Sequence, residues 1–169
     1  MKTAQILNVA KSMHILSSVW VFILAAVILV DVFGRIVFLQ PLPGTKEILQ
    51  NSVIAVTFLQ VPLAIYSGSM LRTTLISDLM PPFVKKLLRT IAYITGFALF
   101  AAIAYASFPE AIDAYRISEY EGEGSFRIYT WPIRFLIVIT GAFAAFAYLT
   151  LMVADWRGAL PENEALINY

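Results

Sequence analysis

The run Ser12–Val30, SMHILSSVWVFILAAVILV, holds 19 residues without a single Asp, Glu, Lys or Arg. At about 1.5 Å per residue a helix needs roughly 20 apolar residues to cross the hydrocarbon core of a bilayer. Three more charge-free stretches are as long: Ile48–Leu71 (24 residues), Thr90–Pro109 (20) and Phe135–Ala154 (20). They are continuously apolar, without the alternation of barrel strands. Backbone groups in lipid must be satisfied within the segment itself. The sequence therefore predicts an all-α integral membrane protein with four transmembrane helices, at about 12–39, 46–71, 88–109 and 131–155.

Composition agrees. Of 169 residues, 60% are hydrophobic and 14% charged, and the mean hydropathy is +0.78. Soluble domains run at about 45–50% apolar and about 25% charged. A soluble fold of this size cannot hide so much apolar surface. A net charge of +1 offers no basic patch for a phosphate backbone, so nucleic acid is not an expected partner. The absence of cysteine excludes disulfides, thiolate metal sites and thiol catalysis within this chain. With His14 as the sole histidine, a bis-histidine haem held by this chain alone is excluded as well. No metal site, substrate site or cofactor is expected.

Loop charge sets the expected orientation. The amino end, second loop and carboxyl end carry seven basic residues, Lys2, Lys11, Arg72, Lys85, Lys86, Arg89 and Arg157. The opposite side carries five, Arg35, Lys46, Arg116, Arg127 and Arg134, together with seven of the eleven acidic residues. The positive-inside rule then places both termini in the cytoplasm. The first run lacks a small-x-small cleavage site and reads as a permanent anchor. Residues 1–169 are expected to form one membrane domain, with a cytoplasmic amphipathic segment at about 72–89 and an extracytoplasmic loop at about 110–130. Leu71, Leu75, Ile76 and Leu79, then Phe83, Val84, Leu87 and Leu88, are spaced for a helix lying on the inner membrane surface, split by Pro81-Pro82; the alternative is that Val84–Arg89 simply begins helix 3.

Several local features bear on function. Asp31 and Arg35 stand four apart near the outer end of helix 1. Two readings stay open: a buried contact fixing helix 1 to helix 2 or to a partner protein, or a self-paired couple with Arg35 reaching for the interface. Gly34, Pro41, Pro43 and Gly44 predict a short turn. Thr45 is a candidate cap for helix 2, Glu47 suits its positive first turn, and an Arg35–Glu47 pair is geometrically easy. Helix 2 carries Asn51, Ser52, Thr57 and Gln60, and Pro62 is expected to kink it. Ala98, Ala102 and Ala106 in helix 3, and Gly141 and Ala145 in helix 4, are small-residue patterns suited to close helix approach, either within the chain or against a partner. The loop before helix 4 mixes acidic residues with Tyr115, Tyr120 and Tyr129, and reads as a solvated loop with an aromatic belt, the alternative being a docking surface for an extracytoplasmic partner. Trp131 and Pro132 open helix 4 as interface anchor and first-turn proline. No ionisable residue falls inside any of the four runs apart from His14 near the inner end of the first, an argument against a pump or proton channel. No nucleophile with a base beside it and no glycine-rich phosphate loop is present.

Asp31-Val-Phe-Gly-Arg35 closing helix 1, and Pro43-Gly44-x-x-Glu47 opening helix 2, resemble the small membrane subunit of tripartite ATP-independent periplasmic (TRAP) transporters, the DctQ type. Glu123-Gly-Ser125 followed by Thr130-Trp131-Pro132 is similar to that family's approach to helix 4. One departure stands out: Gly68-Ser69-Met70 replaces the Gly-x-His of many members. The resemblance implies a non-catalytic subunit of the bacterial inner membrane, with a large membrane transporter subunit, a periplasmic substrate-binding protein and membrane lipids as partners. It implies import of an organic acid with sodium by the large subunit. It marks Asp31, Gly34, Arg35, Pro43, Gly44, Glu47, Glu123, Ser125, Trp131 and Pro132 as structural or partner-interface positions. Two rival classes remain: the membrane anchor of a redox or enzyme complex, in which His14 would be a ligand, and an independent small exporter.

Overall fold

The computed structural model describes residues 3–40, 42–67, 81–122 and 127–158. Its elements are α1 (Thr3–Phe38), α2 (Thr45–Tyr66), α3 (Pro82–Arg116), β1 (Tyr120–Glu121), β2 (Ile128–Tyr129) and α4 (Trp131–Trp156). All four helices are long and apolar enough to cross a membrane. One end of the molecule carries the α1–α2 and α3–α4 connections, here the hairpin end. The other, here the terminal end, carries the start of α1 and the end of α4. The two short strands pair antiparallel, Tyr120 opposite Tyr129 and Glu121 opposite Ile128.

Helix lengths differ in a way the charge-free runs do not show. With 36 and 35 residues, α1 and α3 are each more than 50 Å long at about 1.5 Å per residue, against roughly 30 Å of hydrocarbon. At its start, α3 takes in Phe83–Arg89, so these residues form its first two turns, not a separate interfacial helix. The reason is local. Pro81 is extended (φ −60, ψ 149) and Pro82 begins the helix, as the residue before a proline and a first-turn proline should be. No proline or glycine follows until Gly96 to stop it. The rest of the expected amphipathic segment, 72–80, lies outside the described residues. At its far end α3 continues through Pro109 to Arg116, seven residues into the expected loop. Charge ends an apolar run without ending a helix. In the same way α2 continues through the buried Pro62.

The main packing contacts join α3 to α4, α4 to α2 and α2 to α1. The helices are thus arranged α1–α2–α4–α3. α1 lies against α2 through one narrow seam: Ala10, Ser17, Leu24 and Asp31 are buried at intervals of seven, the spacing of a left-handed helix pair. Along it Ser17 Oγ donates to Val56 O at 3.3 Å. Near the terminal end all four helices meet in one cluster that includes Ala10, Tyr66, Tyr93, Ala144 and Leu151. There the hydroxyls of Tyr66 and Thr150 lie 3.0 Å apart, tying α2 to α4.

The α3–α4 contact uses small residues, though not all the expected ones. Gly141 is buried, and a Cβ on it would stand 3.6 Å from Ala104 Cβ. Opposite Tyr148 the close approach is made by Gly96, where a Cβ would fall 2.6 Å from the tyrosine ring. Phe100 stacks on the same tyrosine at 5.9 Å. Ala98, Ala102 and Ala106 are exposed. The facing row is Gly96, Phe100 and Ala104, shifted two residues from the alanine row, because a single residue swings the face by 100°. Gly96→Val should therefore destabilise the fold by about 1–3 kcal/mol through overpacking. Ala98→Val should stay within about 0.5 kcal/mol of the parent. Denaturant titration in detergent micelles measures both.

Candidate functional site

The positions singled out in the sequence gather at the hairpin end. α1 closes with Leu39 in the left-handed region (φ 54), a common helix stop. The chain then doubles back over Gly34. Gln40 N–H donates to Gly34 O at 3.4 Å, and a Cβ on Gly34 would meet Gln40 O at 3.2 Å. Gly44 precedes α2 with φ 83, a conformation glycine adopts without a steric penalty. Pro43 is exposed beside it.

Asp31 holds this corner together. Only 6% of it is exposed. Its Oδ1 accepts the Leu42 N–H at 2.8 Å and the Thr45 hydroxyl at 3.3 Å. Its Oδ2 accepts Arg35 Nε–H at 2.8 Å. The Thr45 hydroxyl shares its proton with Leu42 O at 3.0 Å. Both readings of the Asp31–Arg35 pair thus hold in part. The two side chains pair with each other, and the carboxylate also clamps the start of α2. Two expectations fail here. Thr45 does not cap α2: the cap position is Gly44, with no side-chain bond, because Thr45 is already the first helical residue and turns its hydroxyl towards Asp31. No ion pair joins Arg35 to Glu47 among the described residues. Arg35 already serves Asp31 and leaves its side chain 59% exposed. Glu47 does lie in the first turn of α2.

A second corner joins α3 to α4. Thr130 is buried; its N–H and hydroxyl donate to Glu119 O at 3.0 and 3.3 Å, and the hydroxyl also reaches Glu119 Oε2 at 3.0 Å. Arg134 binds Glu110 at 2.8 Å and Glu119 at 3.1 Å, so α4 grips the last turns of α3 and the chain beyond. Trp131 opens α4, edge-on to Tyr115 at 5.6 Å and to Phe135 at 6.4 Å. Pro132 is exposed in the first turn. The two corners are joined by Asn51 of α2, whose amide donates to Glu121 Oε2 at 3.1 Å. Glu123 and Ser125 lie outside the described residues.

At the terminal end, Asp155 is 7% exposed and pairs with Arg89 at 3.1 Å. Trp156 Nε1 donates to Thr90 at 3.2 Å, and Lys86 Nζ sits 5.4 Å over the same indole. Sequence reading missed Leu42, Asn51–Glu121, Arg134–Glu119 and Arg89–Asp155. These partners stand 11 to 70 residues apart, where no periodicity links them. His14 is half-buried on α1, its carbonyl accepting the Ser18 hydroxyl at 2.9 Å. Among the described residues no group of three or more His, Asp or Glu side chains could hold a metal ion. The arrangement as a whole is a set of helix-to-helix clamps.

The family model for the DctQ component of tripartite ATP-independent periplasmic transporters matches residues 24–158, which include both corners and both Asp–Arg pairs. The chain belongs to the DctQ family. It is a small TRAP transporter component and a multi-pass protein of the inner membrane, of a kind that works with a large membrane component and a periplasmic binding component. No curated protein and no solved structure matches this DctQ chain significantly.

The corner geometry ranks substitutions. Asp31→Ala should lower the thermal midpoint most, since it strips the Leu42 N–H and the Arg35 guanidinium of their partner. Asp31→Asn keeps an acceptor for Leu42 and should lose less. Arg35→Ala should fall between the two, because it leaves the buried Oδ2 of Asp31 without its donor while Oδ1 keeps Leu42 and Thr45. A double exchange of Arg35 and Glu47 should rescue nothing. Thermal unfolding followed by intrinsic fluorescence in detergent tests the order.

Proposed function

We propose that the chain is a non-catalytic scaffold, the small permease subunit that holds a large membrane subunit while the latter imports an organic acid with sodium after delivery by a periplasmic binding protein. One observation carries this reading. The buried carboxylates among the described residues, Asp31 and Asp155, are each paired with an arginine of the same chain. Solute pathways through membranes are built from ionisable groups facing a cavity, and here those groups clamp one helix to another. Much of the remaining helical surface is apolar and exposed, as at Phe22, Phe33, Leu99 and Ile139, so it is covered by lipid or by another membrane protein.

Both termini lie in the cytoplasm in this reading, which puts the Asp31 and Thr130 corners at the periplasmic face. Support comes from the excess of basic residues on the terminal side and of acidic ones on the hairpin side. Asp31, Gly34, Arg35, Pro43, Gly44 and Glu47 shape one corner, and Trp131 and Pro132 the other. Glu123 and Ser125 are partner-interface positions in this reading on the strength of the family resemblance.

Reconstitution tests the proposal. Proteoliposomes with the small and large subunits, the binding protein and an inward sodium gradient should take up the organic acid. Vesicles with the small subunit alone should take up none, and omission of the small subunit should reduce uptake at least about tenfold. Uptake by the small subunit alone, or full uptake without it, overturns the scaffold reading.

A further inference from the structure

We propose that the Lys46–Gln50–Val53–Thr57–Gln60–Ala64 face of α2 is the surface on which a transmembrane helix of the large subunit docks, with the Gln60 amide as its central hydrogen-bonding anchor. This rests on the scaffold reading above. Spacings of three and four put these six residues on one side of the helix. The opposite side, with Asn51, Ala55, Leu59, Pro62 and Tyr66, is buried. Lys46, Gln50, Val53 and Thr57 are exposed, while Gln60 and Ala64 are half-buried.

The polarity of this face is the reverse of what lipid selects. Ala55, Leu59, Leu63 and Ile65 point into the protein, while Gln50, Thr57 and Gln60 point out of it. Thr57 satisfies itself by donating to Val53 O at 2.8 Å. Among the described residues, neither Gln50 nor Gln60 has a hydrogen-bond partner. Gln60 lies within the membrane-spanning length Thr45–Tyr66, six residues from its end, roughly 9 Å at about 1.5 Å per residue. A primary amide has two donors and an acceptor to satisfy, and glutamine in a membrane helix finds them on a neighbouring helix. Neighbours α1 and α4 are both in place on other sides of α2 without supplying them. The fitting occupant is a helix offering a polar side chain or an accessible backbone carbonyl opposite Gln60. Ala64, one turn further on, leaves room for close approach. The outward face of α1, with Phe22, Leu29 and Phe33, suits lipid, and that of α3 exposes the hydroxyls of Thr95 and Tyr105 beside Ile91, Ile94 and Leu99 but no amide.

The chain lacks cysteine, so a single cysteine placed in it is its only thiol. In vesicles holding the small subunit together with its cognate large subunit, Thr57→Cys, Gln60→Cys and Ala64→Cys should crosslink to the large subunit. Ile94→Cys and Leu99→Cys on α3 should instead react with a lipid-phase maleimide. Gln60→Leu should reduce large subunit retained on affinity purification by about three- to tenfold, the range of one interhelical hydrogen bond. It should leave the thermal midpoint of the isolated small subunit unchanged or higher, since leucine suits lipid better. Lipid-phase labelling at 57, 60 and 64 with crosslinks from 94 and 99 would overturn the α2 assignment while leaving the scaffold reading intact. Absence of crosslinks from every site, with no large subunit retained by the parent chain, would overturn both. Undiminished retention by Gln60→Leu would refute the amide as anchor.

Discussion

A carboxylate on a membrane helix is costly unless it is paired, and the first half of this molecule is organised around the partners of Asp31. One oxygen takes a backbone N–H and a hydroxyl, the other an arginine. These demands fix where the chain must return after α1. Leu42 has to pass beside Asp31, which requires the tight reversal over Gly34 and the left-handed Gly44, and α2 then starts with Thr45 facing α1. From that starting point, burial at positions 10, 17, 24 and 31 carries the pair down the length of the membrane. Burial of apolar surface offers little driving force between helices in lipid, so a polar clamp at one end and close seams along the rest set the register.

The α3–α4 pair solves the same problem with different chemistry. It is clamped at both ends, by Arg134 with Glu110 and Glu119 at one and by Arg89 with Asp155 at the other. Between the clamps the helices approach through Gly96, Ala104 and Gly141. The two pairs meet where Tyr66 reaches Thr150 and Asn51 reaches Glu121. Polar contacts are thus concentrated where helices leave the hydrocarbon, and small residues fill its middle. α2 breaks this pattern, with its polar row turned outward.

What the sequence made legible follows from how each signal is encoded. Four helices were readable because lipid enforces long charge-free runs. Family membership was readable because Asp31, Gly34, Arg35, Gly44 and Glu47 lie within seventeen residues of one another. Helix ends were less readable: α3 exceeds its apolar run at both ends, since charged residues are good helix formers once outside lipid. The row of α3 that faces α4 had no local mark, because an alanine-rich helix offers several small-residue rows, and only the ring of Tyr148 picks out Gly96. The role of Thr45 was misread because one hydroxyl can cap its own helix or bind a neighbour, and the position of Asp31 decides between them. Contacts such as Asn51–Glu121 join residues 70 apart and leave no local trace.

The placement of the Asp31 partners has a consequence for biogenesis. All of them fall between residues 35 and 45. The first two helices therefore neutralise and hydrogen-bond their own acid as soon as the second begins to emerge, and can leave the insertion machinery as a finished unit. The Arg89–Asp155 contact is built differently: Asp155 is synthesised 66 residues after Arg89, so this link between the second pair of helices closes only when the last membrane segment arrives.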